Sequence, residues 1–235
     1  MTQYNETYSS NQNSTFRTFL NKTLLVMGVG LAVSAAVSLI FGLFFVQIVS
    51  VIGNIYFFVM IAALIAEFVV AVVLTKNLLK YSKGTCWGLF IAYAALTGFT
   101  LSTVIYGYDL GSVFIAFLAT AVLFVCMAVI GLTTKVDFTK FSSIAFIGLT
   151  AIIVLSLLNM FLKIGWLNMF ISYIAIILFL ALVAMDIQKL RNYYSSSLAD
   201  PNIADKLIIM SSFQLYLDFI NLFLRILQIF GKRKN

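Results

Sequence analysis

Residues 167–190 read LNMFISYIAIILFLALVAMDIQKL, and no charge interrupts them before Asp186. Crossing about 30 Å of hydrocarbon takes about 20 helical residues at about 1.5 Å each, so this stretch is long enough to span a bilayer. Barrel strands alternate apolar and polar positions over about ten residues, and this run does not alternate. Lipid offers the backbone no water to bond, which leaves the helix as its solution.

Six further runs of the same kind flank it, over residues 23–45, 55–75, 86–106, 112–132, 141–162 and 211–230. Composition agrees: 63% of the 235 residues are hydrophobic and only 10% are charged, where a soluble domain carries about a quarter. The expected fold is therefore an all-α integral membrane protein, a bundle of seven transmembrane helices over residues 23–230 in a lipid bilayer. A polar tail over residues 1–22 and a basic tail over 231–235 are expected to flank it.

The chain has no histidine and two cysteines, which excludes a disulfide framework, an imidazole zinc site and a Ser/His or Cys/His nucleophile. Cys86 and Cys126 read as small hydrophobes. No cofactor is expected, and chemistry is left to carboxylates, hydroxyls, amides and backbone. A net charge of +7 invites a phosphate-binding reading. However, Lys76, Lys80, Lys83, Lys135, Lys140, Lys189 and Arg191 sit in short gaps between apolar runs, as cationic loops facing an anionic leaflet do, so no nucleic-acid partner is expected.

An odd number of spans puts the termini on opposite sides. The loops on the N-terminal side hold Arg17, Lys22, Lys206 and the seven cations just named, while the opposite loops hold only Lys163; the N-terminus is expected to be cytoplasmic. The tail Lys232-Arg233-Lys234 opposes that assignment. Either it is outvoted by the earlier loops, or the last segment is a re-entrant hairpin. Residues 1–22 lack an apolar stretch with a cleavage site, and the end lacks a retention motif, so a bacterial plasma membrane is the expected location.

Small residues recur every four positions at Gly30, Ser34, Ser38 and Gly42, and again at Ala94, Gly98 and Ser102. Such stripes let helices approach closely in lipid, and packing inside one chain is favoured here over a dimer face.

A charge at membrane depth costs at least about 2.5 kcal/mol, so each one is informative. Glu67 lies near the middle of the second span, Asp218 well inside the seventh, and Asp186 near the cytoplasmic end of the sixth. Asp186 alone is explained equally well by reaching out to the interface. The two spans run antiparallel, and if the seventh starts at Ser211 both aspartates lie roughly 10 Å deep and are able to meet; if it starts at Leu207, the pairing is marginal. Two facing carboxylates sharing one proton would form a pH sensor, Asp186 and Asp218 latching the last two helices. Without histidine, a response near neutral pH needs such a pair. Carboxylates alone favour hard cations, so these two aspartates are also read as a weak Ca²⁺ site through which an ion passes. Arg225, near the outer end of the last helix, either reaches outward or pairs with Glu67.

The local sequences carry a resemblance. LYLDFINLFL (215–224), AMDIQKL (184–190), TGFTLS (97–102), AFLATAVLF (116–124) and TKVDFTKF (134–141) stand in the order found in the transmembrane Bax inhibitor motif family, and the chain resembles a bacterial-type member. The resemblance implies seven helices with the last one central, and a pH-sensitive Ca²⁺ leak. It also implies that Asp186 and Asp218 are the family's gating aspartates and that Glu67 is its second-helix acid. Thr103 and Gln228 stand where relatives often carry proline and arginine, and Arg225 is the nearest substitute for the latter. The segment between the aspartates, with Ser195 to Ser197 and Pro201, reads as a long floppy loop.

Two other classes compete. Intramembrane aspartyl proteases also place two aspartates on adjacent helices, but Asp218 is flanked by Leu217 and Phe219 rather than glycines, so no enzyme is expected. A regulator that acts on another membrane protein, such as a protease, would use the same small-residue stripes without transporting anything.

Overall fold

The computed structural model describes residues 2–234, the side chains of 2–14, 79, 160, 199, 201 and 202 lying outside the description. Its helices are α1 (Thr2–Leu43), α2 (Phe45–Ile52), α3 (Ile55–Asn77), α4 (Lys83–Gly107), α5 (Leu110–Thr133), α6 (Ser142–Leu162), α7 (Gly165–Ala199) and α8 (Pro201–Phe230). Among the described residues, seven helical segments are long and apolar enough to cross a membrane, each where an apolar run predicts it. At 8 residues, α2 is too short.

Two boundaries correct the sequence reading. Residues 15–22 of the expected polar tail belong to the first spanning helix, with Phe16 and Phe19 set against Tyr194 at 5.6 and 5.8 Å between ring centroids. Of the rest of the expected polar tail, residues 2–14 open α1 and Met1 lies outside the described residues. The expected floppy loop between the aspartates is helical: α7 runs on to Ala199 and α8 starts at Pro201. Proline suits a first helical position, where its missing N–H would have had no partner. The serines of this stretch turn their hydroxyls back onto helix carbonyls, Ser195 to Arg191 and Ser196 to Asn192, which keeps them inside a helix. At 35 residues and about 1.5 Å each, α7 is roughly 50 Å long, so it exceeds the hydrocarbon.

The chain forms two compact units. The first holds Met1–Thr103 with Leu190–Gln214, the second Val104–Lys189 with Leu215–Asn235. In the first unit the two small-residue stripes face each other. Ser34 Oγ donates to Ala94 O at 2.7 Å, and a Cβ added to Gly98 would stand 2.7 Å from Ser34 O. Ring contacts extend this packing, Phe213 meeting Tyr93 edge-on at 4.9 Å, a geometry aromatic quadrupoles favour. Ser212 Oγ donates to Thr23 O, fastening α8 to α1.

In the second unit α8 packs Phe219 between Phe117 and Phe124 of α5. The backbones of α5 and α7 approach until a Cβ on Gly131 would lie 2.6 Å from Ala184 O. The basic C-terminal tail is strapped down: Asp109 N–H donates to Lys232 O, Lys234 N–H to Gly107 O, and Tyr108 and Arg233 form a β-bridge. α8 is the most enclosed span, 67% of its window being buried against 11–44% for the others, as expected for a central last helix.

Candidate functional site

Near the close approach at Gly131, the next turn of α7 carries Asp186, Gln188 and Lys189. Asp186 Oδ1 takes an ion pair from Lys189 Nζ at 2.7 Å, the two side chains being 11% and 27% exposed. A spacing of three residues puts both on one helix face. Gln188 works outward as a clamp. Its Oε1 accepts from Phe138 N–H and its Nε2 donates to Val136 O, both at 2.7 Å, which ties the α5–α6 loop to α7.

Asp218 is the deeper carboxyl. It is 6% exposed, its Oδ2 has no hydrogen-bond partner, and it lies within the electrostatic reach of Asp186 and of Lys189. The structure therefore brings the two expected aspartates into one electrostatic neighbourhood. It also adds a third member: the sequence reading has the two carboxylates competing for one proton, whereas an ammonium already sits on Asp186. Lys189 was counted only as a loop cation, and its spacing in the DIQK segment was the available signal. One ammonium against two carboxylates makes this site neutral when one carboxyl holds a proton and singly negative when neither does. That charge step inside a membrane span is what the arrangement can do chemically.

Metal binding is limited by the donor count. Among the described residues no group of three or more acidic, cysteine or histidine side chains gathers. Asp186 and Asp218 together supply two carboxylates, short of the ligand number that Ca²⁺ takes when held.

Glu67 belongs to the first unit, half-buried on α3. Its Oε1 accepts from Thr100 Oγ1 at 2.9 Å and its Oε2 from Thr97 Oγ1 at 3.5 Å, so the hydroxyls of the TGFTLS stretch serve as its partners. Arg225 belongs to the second unit and donates to Gln228 Oε1 at 3.1 Å and Ser156 Oγ at 3.4 Å. The sequence offers these two residues to each other; inside its own unit each meets neutral partners. Gln228 further accepts from Ser172 Oγ and donates to Asn168 Oδ1, a part-buried amide network that sequence reading did not assemble.

Known proteins resemble this chain in sequence over most of its length. The inner membrane protein YbhL of Escherichia coli is 39% identical over 176 residues, covering 74% of this chain and 75% of its own. A Borreliella burgdorferi protein is 38% identical over 174 residues, with the same coverage. A membrane protein of Streptococcus pyogenes is 35% identical over 218 residues, 91% of this chain and 92% of its own. The sequence pattern of the family described as "Inhibitor of apoptosis-promoting Bax1" matches residues 16–235. With seven apolar helices, TGFTLS and LYLDFINLFL in place, and relatives spanning most of its length, the chain belongs to that Bax inhibitor family of membrane proteins.

Proposed function

We propose that the chain is a pH-sensitive cation leak, with Ca²⁺ as the conducted ion, gated by Asp186 and Asp218 on the last two spanning helices. The observation that carries this reading is Asp218: a buried carboxyl with an unpartnered oxygen, within reach of a second carboxylate and an ammonium. Burying it is expensive unless it is protonated or compensated. Loss of its proton leaves one uncompensated negative charge, which either draws a cation into the site or separates the helices that hold it. Calcium is the substrate here, not a resident cofactor, and two carboxylates suit an ion that must also leave. The location that goes with this reading is a bacterial plasma membrane with the N-terminus cytoplasmic, and no enzymatic step is involved.

The test is flux in liposomes that hold the purified protein and a Ca²⁺ dye, from about pH 6 to about pH 8. The expected result is a pH-dependent flux whose dependence disappears in Asp186→Asn and in Asp218→Asn. Wild-type pH profiles in both variants would sink the gate. No flux at any pH would favour the alternative, a regulator of another membrane complex such as a protease.

A further inference from the structure

A cavity of about 290 Å³ opens in the second unit beside the end of α8, several times the roughly 30 Å³ that a water molecule occupies. Val104 and Tyr108 form one wall; Asn221, Leu224, Arg225 and Gln228 form the other. The wall on α8 follows from spacing, since positions 221, 224, 225 and 228 fall on one helical face. Arg225 lies five residues before Phe230, the last residue of the helix, or about 7.5 Å along the axis, so the cavity sits within reach of the bilayer interface.

Among the described residues of this unit, no acid is ion-paired with Arg225. Arg225 donates to an amide oxygen and a hydroxyl only, and a guanidinium carries more donors than those two acceptors take. A half-buried cation with neutral partners is costly to maintain unless something anionic joins it. The rim adds to the same field. The tail is bridged to Tyr108 through Arg233, whose guanidinium stands 5.7 Å from the Tyr108 ring centroid, and Lys232 and Lys234 are bonded to the same turn. Asp109, next to Tyr108 in the chain, caps α5 with its Oδ2 accepting from Ser112 N–H, and its one negative charge offsets only part of the three positive charges of the tail. The carbonyl end of α8 opposes an anion, an effect weaker than one charge-assisted hydrogen bond.

We propose that this cavity binds a phosphate oxyanion, gripped by the Arg225 guanidinium with the Gln228 and Asn221 amides and Tyr108 around it. A planar fork of N–H donors suits phosphate oxygens. The same chemistry is supplied by free phosphate or by a phospholipid headgroup, whose first carbons would lie against Val104 and Leu224. The site is independent of the aspartates and of any leak.

The experiment titrates full-length protein in uncharged detergent with inorganic phosphate, with dioctanoyl phosphatidylglycerol and with dioctanoylglycerol, which lacks phosphate, and reads binding by calorimetry. The expected result is saturable binding of one or both phosphate-bearing probes and none of dioctanoylglycerol. Binding of both probes assigns the site to the anion in general, and binding of the lipid alone assigns it to the headgroup. Arg225→Gln should weaken that binding about tenfold or more. Val104→Phe fills the cavity from its apolar wall, leaves every polar group in place, and should do the same. If Arg225→Gln does not fold by circular dichroism, Val104→Phe decides; if neither folds, the dioctanoylglycerol comparison decides. Absence of saturation with both phosphate probes, equal binding of the phosphate-free lipid, or wild-type affinity in a folded variant overturns the proposal.

Discussion

Lys189 is the residue that most changes the reading of the aspartates. Its ammonium, 2.7 Å from Asp186 Oδ1, is the built-in counter-charge, and removing one partner of a mostly buried pair strands the other. Lys189→Met should cost about 1–3 kcal/mol in thermal or denaturant unfolding, below the full cost of a buried pair because the lysine is partly exposed. The double variant with Asp186→Asn should recover most of that loss; an additive double variant would mean that the pair contributes nothing. Under the proposed leak, Lys189→Met should also raise Ca²⁺ flux in liposomes several-fold at fixed pH, since two carboxylates would then face the ion with no resident cation. Asp137, outside the spans, accepts from the Thr139 hydroxyl and backbone N–H, and these bonds hold its carboxyl below the ordinary range. A lowered folded value gives stability that is present above the unfolded value, near about pH 4, and lost as the pH falls through the folded one. Thr139→Val should move the Asp137 titration upward when followed by NMR of its carboxyl carbon; an unmoved curve would mean the hydroxyl is not the cause. Glu67, Asp186 and Asp218 were legible in the sequence because a carboxylate is conspicuous in an apolar run. The partner on Asp186 was not, because a lysine near a helix end looks like one more loop cation until the helix is seen to continue past it.

At the scale of elements, the close approaches are set by glycines. A Cβ at Gly98 would meet Ser34 O and Val37 Cβ, each at 2.7 Å, so Gly98→Ala should push α4 off α1 and cost about 1–3 kcal/mol. Gly88→Ala on the same helix has nothing within 4 Å and should be neutral or stabilising by up to about 1 kcal/mol. Thermal unfolding of the two variants side by side is the check, and equal losses would deny the approach. Gly131→Ala, 2.6 Å from Ala184 O, should instead shift the turn that carries Asp186, and its signature is a displaced pH profile of flux. Gln188→Leu leaves Phe138 N–H and Val136 O without their partner, at about 0.5–1.5 kcal/mol per lost bond at most, since Val136 is exposed and water reaches its carbonyl. The stripes themselves were readable from spacing alone. Which stripe meets which was not, because four-residue periodicity marks a face without naming its neighbour. The same limit applied to the α7–α8 junction, where serines and a proline suggest a loop from composition yet fit a helix whose hydroxyls bond backward and whose proline stands first.

For the whole molecule, the orientation drawn from the loop lysines predicts that a cysteine placed at Lys83 in a Cys86→Ala, Cys126→Ala background is labelled by an impermeant thiol reagent only from the cytoplasmic face, and one at Lys163 only from the opposite face. Labelling of both from one side would refute the three spans drawn between them. The sequence by itself determined the class of solvent, the number of spans and the acids at membrane depth, because length and apolarity decide what lipid admits. Only the tertiary structure decided which span the protein keeps for its interior. The least apolar of the seven windows, that of the last helix, is also the most buried, while the most apolar ones are largely exposed. Lipid accepts no unpaired polar group, whereas a protein interior supplies partners for it. Polar residues therefore go inward here, and the helix that looks least fit for the membrane is the most buried of the seven.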